Sequence, residues 1–241
     1  MTRLPTGTST VVFDVGNTLH HLDHAYIAAT ISRHSHAVTA TQVARAEYLA
    51  KAAIDAQFRA RAAGLDADRR LSYFEIILRE LHVAAAAVEP IVAALHEEDR
   101  RDSLWRVMQP HTPQVVTELR RRGFTLAVVS NADGRVEAAL TARGLAEHFK
   151  VIVDSYHVGV EKPDARIFAI ALEACDALPS EAVYVGDIYE IDVRGARNAG
   201  LTPVLLDPLG GYGKVDCARI EALTELLDLL PPACTSVGFT R

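Results

Sequence analysis

Three successive apolar residues, Val11-Val12-Phe13, stop at Asp14 and are followed by the turn residues Gly16-Asn17. A short apolar run closed by turn chemistry reads as a strand buried on both faces, the condition of strands in parallel α/β sheets. Four further runs of this kind, at residues 125–129, 151–153, 182–185 and 203–206, all lie far downstream. They alternate with helical stretches at 113–122 and 163–175 and a short helix ending at Gly200, and a last helix is expected from Asp216 to Leu230. Strands alternating with helices predict a parallel sheet with right-handed crossovers, an α/β fold. The first strand must then join this sheet across the whole intervening segment.

That segment has helical character throughout. From Leu22 to Trp105 it is Ala-rich, with apolar residues three and four apart, as at Tyr73, Ile76, Ile77 and Leu81. Gly64 with Asp66 and Asp68 marks one break and Glu89-Pro90 another, so four or five antiparallel helices are expected. The organisation that follows is a core of residues 1–20 and 106–241 with an inserted helical domain at 21–105. Residues 1–9 and 231–241, rich in Pro, Thr and Gly, read as loose ends dispensable for chemistry.

Composition narrows the functional classes. Of the 241 residues 49% are hydrophobic and 23% charged, ordinary for a globular protein. The formal net charge is −6, which offers no broad basic surface to nucleic acid or an anionic membrane. Arg120-Arg121-Arg122 precedes Gly123 at a helix end, where cations complement the helix dipole. Cys175, Cys217 and Cys234 have no pairing or metal spacing, and a reducing cytoplasm fits them. With neither an export signal nor a long apolar span, the expectation is a cytoplasmic protein without membrane or nucleic-acid partners.

Parallel strands deliver their last residues to one edge, where open α/β sheets bind ligands. The sequence places there Asp14, Ser130-Asn131, and Gly186-Asp187 followed by Asp192, with Lys162 just ahead of Pro163. Singly, each has a plain reading: Ser130-Asn131-Ala132-Asp133 as a helix cap, Lys162 as a surface lysine, Asp192 as a first-turn carboxylate. Together they fit phosphoryl transfer through an aspartyl-phosphate. Asp14 and Asp187 can hold one Mg²⁺. The Ser130 hydroxyl, the amides near Asn131 and the Lys162 ammonium can take the remaining charge of a phosphoryl group.

Residues 13–19 (Phe-Asp-Val-Gly-Asn-Thr-Leu), Val129-Ser130-Asn131, the stretch from Gly159 to Phe168, and Val185-Gly186-Asp187 through Asp192 to Gly200 resemble the motifs of the haloacid dehalogenase (HAD) superfamily. The resemblance implies a Rossmann-like core, a helical cap of the C1 type inserted after the first motif, and Mg²⁺-dependent phosphatase activity on a small phosphorylated metabolite. It implies Asp14 as nucleophile and metal ligand, the Gly16 carbonyl and Asp187 as further ligands, and Asp192 as a ligand or the orienter of a bound water. Ser130, Asn131 and Lys162 would bind the phosphoryl group, and Thr18 would brace the loop. The spacing agrees with the cap position, since 116 positions separate Asp14 from Ser130 but only 32 separate Ser130 from Lys162.

The chain departs from the family at Gly16, where most of its phosphatases carry a second aspartate that protonates the leaving group. General acid–base help is worth roughly 10²–10⁴-fold. A substrate that leaves without a proton, a substitute acid among His20, His21 and His24, or a weakly active phospho-ligand-binding protein would each be consistent. A haloacid hydrolase would lack the metal that Asp187 and Asp192 suit, and a phosphonate hydrolase would use a cap lysine. Lys51 is expected on the helix surface.

Overall fold

The structure, a computed structural model, describes residues 4–59 and 66–231, with 66–72 described in backbone only. Gly64, Cys234 and the tail beyond Pro231 lie outside the described residues, as do the side chains of Asp66 and Asp68.

Strand β1 spans Thr10–Phe13 and every residue in it is buried, as its unbroken apolar run requires. Four helices follow, α1 His24–His34, α2 Ala40–Arg59, α3 Asp66–Glu80 and α4 Ala85–Arg101. Helix α5 (Thr112–Arg121) then leads into β2 (Thr125–Ser130), α6 (Val136–Thr141), β3 (Val151–Asp154), α7 (Ser155–Val158) and α8 (Ala165–Cys175). Strand β4 (Ala182–Gly186), a π-helical turn at Tyr189–Val193, α9 (Arg194–Asn198), β5 (Thr202–Leu206), β6 (Ala218–Ile220) and α10 (Leu226–Leu229) complete the order.

The six strands form one sheet, in the order β3-β2-β1-β4-β5-β6, and every pair is parallel. From β1 the chain builds outward through β2 and β3 on one side, then crosses to β4 on the other. The strand order therefore reverses between β1 and β4, which places the ligand crevice beyond their carboxyl ends. Phe13 is level with Val128 and Val185, so Asp14 and the residues after Gly186 emerge side by side. Alternation along β1 serves both faces of the sheet. Val11 and Phe13 pack with Val115, Val116 and Leu119 of α5, while Val12 packs with Ile167, Phe168 and Ala171 of α8.

Helices α1–α4 bury a separate apolar cluster that includes Ile27, Ile31, Val43, Phe74, Ile77 and Leu95, matching the three-and-four spacing of the sequence. The chain leaves the sheet and returns to it at one place, where His21 and Val107 pair antiparallel through backbone hydrogen bonds of 2.6 and 3.0 Å.

Two expected element boundaries are corrected. The break assigned to Glu89-Pro90 falls earlier, at His82, which has φ 55°, and Pro90 lies inside α4. The carbonyl that Pro90 leaves without a partner belongs to Ala86, which is exposed and open to water. The helix expected from Asp216 to Leu230 is instead β6 followed by the short α10. Buried Ala218 and Ile220 flank exposed Arg219, a period-two pattern that pairs with the edge of β5.

Candidate active site

Asp14 enters the site with its amide donating to the Val185 carbonyl at 2.9 Å, which fixes it at the mouth of the β1–β4 crevice. Its Oδ1 accepts from Lys162 Nζ at 2.6 Å. The same ammonium donates to Asp192 Oδ1 and to the Tyr184 hydroxyl, each at 2.8 Å, so all three of its protons are used. All four residues are buried. Burial raises the Asp14 carboxyl to about 7 against the opposing pull of Lys162. Burial also works against the Lys162 charge, but Asp14 and Asp192 hold that ammonium above the ordinary lysine range.

Asp192 shapes the loop after β4. Its Oδ2 accepts from the amides of Asp187 and Ile188 at 3.0 and 2.9 Å, and its Oδ1 takes Lys162 and Tyr184. The fold-back requires glycine at 186, because an added Cβ would lie 2.4 Å from Asp192 Cγ. Asn131 acts similarly at the end of β2. Its amide nitrogen donates to the Lys162 carbonyl at 2.9 Å and its oxygen accepts from the Lys162 amide at 2.7 Å, so this side chain pins the lysine loop to the sheet. Ser130 is buried and lines the same cavity as Asp14, Lys162 and Asp187. The cavity has a volume of about 190 Å³, and Ile54, Tyr73, Trp105, Ile188 and Ile191 give it largely apolar walls.

The helical insert contributes directly, and here the expectation for Lys51 is corrected. Lys51 is buried on α2, with Nζ 2.7 Å from Asp187 Oδ2. The same face of α2 carries Asp55, which accepts from the Glu190 amide at 2.9 Å, and Arg59, 3.2 Å from the Glu190 carboxylate. Residues 47, 51, 55 and 59 repeat at four-residue intervals, so they form one polar stripe on a helix whose other face is apolar. Glu47 in that stripe accepts from the Tyr73 hydroxyl at 2.7 Å and pairs with His24 Nε2 at 2.5 Å, while Asn17 Nδ2 donates to the Tyr73 hydroxyl at 3.0 Å. Asn17 has φ 55°, a left-handed conformation that asparagine tolerates and that aims its amide at the insert.

The remaining predicted residues divide. His20 lines the cavity, and burial lowers it to about 4, so its imidazole is neutral near pH 7. Burial lowers His21 to about 4 as well. His24 is engaged with Glu47 and does not line the cavity. Thr18 does not brace the loop through its hydroxyl, which has no hydrogen-bond partner among the described residues. The bracing is done by the Val15 carbonyl, which accepts from the amides of Leu19 and His20 at 2.9 Å.

One oxygen from each of Asp14, Asp187 and Asp192 can lie within 4.8 Å of the others, a buried set of hard donors suited to a hard divalent cation. These three carboxylates face two ammonium groups, Lys162 and Lys51, which leaves one negative charge in excess for a cation to balance. The donor set therefore fits a metal. Asp192, with both oxygens already engaged, fits less as a direct ligand than Asp14 and Asp187 do.

With this geometry in hand, comparison with known proteins decides the family. The family model for haloacid dehalogenase-like hydrolases matches residues 8–200. The chain belongs to this family of hydrolases. Haloacid dehalogenase-like hydrolase domain-containing protein 3 of Bos taurus is 32% identical over 231 residues, 92% of each chain. Phosphoserine phosphatase of Thermus thermophilus is 38% identical over 135 residues, covering 56% of this hydrolase and 53% of that enzyme. In structure, the Bacillus subtilis HAD hydrolase YfnB bound to magnesium superposes with a TM-score of 0.65 at 21% identity, covering 92% of this chain and 98% of that one, a likeness of fold. Among the described residues no helix of the hydrolase is long and apolar enough to cross a membrane.

Sequence reasoning missed Tyr184, Tyr73 and Trp105 as site residues and placed Lys51 on the helix surface. Tyr184 lies within an apolar strand, and the other three come from the insert or its return segment, where no motif marks them.

Proposed function

We propose that this hydrolase is a Mg²⁺-dependent phosphatase acting on a small phosphorylated metabolite through an aspartyl-phosphate on Asp14. The observation that carries the reading is that Asp14 lines one cavity together with Ser130, Lys162 and Asp187. The phosphatases among its relatives support it, including glyceraldehyde 3-phosphate phosphatase of Methanopyrus kandleri, 34% identical over 135 residues.

With Oδ1 held by Lys162 at 2.6 Å, the other oxygen of Asp14 is the nucleophile. Lys162 and the Ser130 hydroxyl stabilise negative charge on the phosphoryl oxygens, and Asn131 keeps the Lys162 backbone in place. Asp14, the Gly16 carbonyl and Asp187 would hold Mg²⁺, with Asp192 setting the Asp187 loop or completing the ligand set. Bound there, Mg²⁺ supplies positive charge to the phosphoryl oxygens and favours the ionised Asp14. The insert at residues 21–105 acts as a cap that excludes water and selects the substrate, a role its contacts through Lys51 and Asp55 support.

The test is inorganic phosphate release from a panel of phosphate esters, with Mg²⁺ and with excess chelator, by the parent and Asp14→Asn. Release that needs both Mg²⁺ and Asp14 is expected. Release unchanged in chelator would overturn the metal assignment, and release by Asp14→Asn at the parent rate would overturn the nucleophile.

A further inference from the structure

The missing side chain at position 16 leaves a specific neighbour in its place. A Cβ built on Gly16 would lie 3.4 Å from Trp105 Nε1 and 3.6 Å from Trp105 Cδ1, so the N–H edge of the indole faces the point where an acid would begin. Trp105 comes from the segment that returns from α4 to the sheet. Its ring packs against Tyr73 and Phe74, with centroids 5.9 and 6.1 Å apart, and Gly16, Trp105 and Asp14 all line one cavity. The Nε1–H donates to no group among the described residues. An indole N–H donates a hydrogen bond and does not give up its proton in water. It can stabilise a departing oxygen without protonating it.

We propose that Trp105 Nε1–H is the hydrogen-bond donor to the leaving-group oxygen, standing where the residue-16 acid is absent. With no acid at residue 16 the leaving group departs as an anion, so turnover favours phosphate esters with acidic leaving groups, and the indole N–H extends it toward poorer ones. This rests on the phosphatase reading above and deepens it by naming the substrate class: acyl, enol, anomeric or aryl phosphates with an apolar part to set against Tyr73, Trp105 and Ile188. As Asp14 attacks, its bond to phosphorus forms while the bond from phosphorus to the leaving oxygen breaks. The electron pair of that bond leaves on the oxygen, which the indole N–H holds until water supplies the proton. His20 is the rival donor, since it lines the cavity and its Nε2 has no partner among the described residues.

The experiment is kcat/KM for phosphate monoesters of graded leaving-group acidity, from acyl through aryl to alkyl. It is run on the parent, Trp105→Phe, Gly16→Ala and His20→Ala, after folding is checked by circular dichroism and melting. Trp105→Phe keeps the ring packing and removes the donor. Gly16→Ala keeps the donor and places a methyl against it, and Gly16 has no left-handed φ for alanine to strain.

A hydrogen bond to a charged oxygen predicts a loss of about ten- to hundredfold on the poorest leaving groups, with little loss on acyl phosphates, in both variants. The leaving-group dependence steepens in both, and His20→Ala leaves its slope unchanged. An equal loss across the series, or none, in Trp105→Phe and Gly16→Ala would overturn the assignment, as would a slope steepened by His20→Ala alone. Should Trp105→Phe not fold, Gly16→Ala decides by the same criterion. A parent that releases phosphate from no ester overturns the phosphatase reading instead, an outcome distinct from an active parent with an unchanged slope.

Discussion

Replacing Lys51 by Met tests whether the insert is electrostatically bound to the core as the geometry requires. The Lys51 and Asp187 side chains are 6% and 3% exposed with 2.7 Å between Nζ and Oδ2, so the pair is shielded from solvent and salt. Removing the ammonium leaves a buried carboxylate, and breaking such a pair typically costs about 3–5 kcal/mol. Protonation of Asp187 limits that cost. An ordinary carboxyl near 3.9 would take about 4 kcal/mol to neutralise at pH 7, at about 1.4 kcal/mol per pH unit; burial already raises the Asp187 carboxyl in the parent, so the added cost is smaller. The expected destabilisation at pH 7 is therefore about 2–3 kcal/mol, a fall of roughly 4–12 °C in melting temperature for a chain of this size.

The sign with pH follows from linkage. In Lys51→Met the folded Asp187 binds a proton that the unfolded one releases, so the deficit relative to the parent grows as pH rises and shrinks, by at most about 1.4 kcal/mol per unit, as pH falls toward the raised range of the parent's own Asp187. Lys51→Met with Asp187→Asn removes both charges and should recover to within about 1 kcal/mol of the parent. The assay is urea unfolding of the parent, both single variants and the double variant at several pH values in chelator. A deficit under about 1 kcal/mol that does not change with pH, or a double variant no better than Lys51→Met, would refute the reasoning.

Other outcomes follow from single contacts. Gly186→Ala forces Asp192 off the amides of Asp187 and Ile188, because the added methyl would lie 2.4 Å from Asp192 Cγ; a loss of about 2–4 kcal/mol and over ~100-fold in kcat/KM is expected from urea unfolding and phosphate release. Burial lowers His20 to about 4 from its ordinary 6.5, so the unfolded chain binds the proton first and stability is lost as pH falls from about 6.5 through about 4. His20→Gln should reduce that acid sensitivity in urea midpoints measured between pH 7.5 and 4.5. Asn131→Ala loses two hydrogen bonds to the Lys162 backbone, and a lowered kcat with about 1–2 kcal/mol of destabilisation should show in the same two assays.

The strands were legible because a parallel sheet buries both faces and writes each strand as an apolar run. The residues at their ends were legible because every parallel strand points the same way. Asp14, Ser130, Lys162, Asp187 and Asp192 accordingly converge as their positions predicted. What escaped was tertiary. Lys51 lies on a helix whose sequence does not say which face meets the core, and a buried lysine at four-residue spacing looks like a solvated one until its carboxylate is seen. Trp105 reads as one more apolar residue at a helix end, and only the packing over Gly16 gives its N–H a direction. The sheet edge was misjudged because β6 is three residues long and its alternation is too brief to separate from a helix.

The central claim is that Asp14 carries the phosphoryl group. Mass spectrometry of the peptide containing Asp14, after acid quenching during turnover of an active ester with Mg²⁺, tests it most directly. A phosphoryl group on Asp14 in the parent, absent in Asp14→Asn, is the result predicted. Sustained phosphate release with a phosphoryl group found on another residue, or turnover that survives Asp14→Asn, would contradict the account.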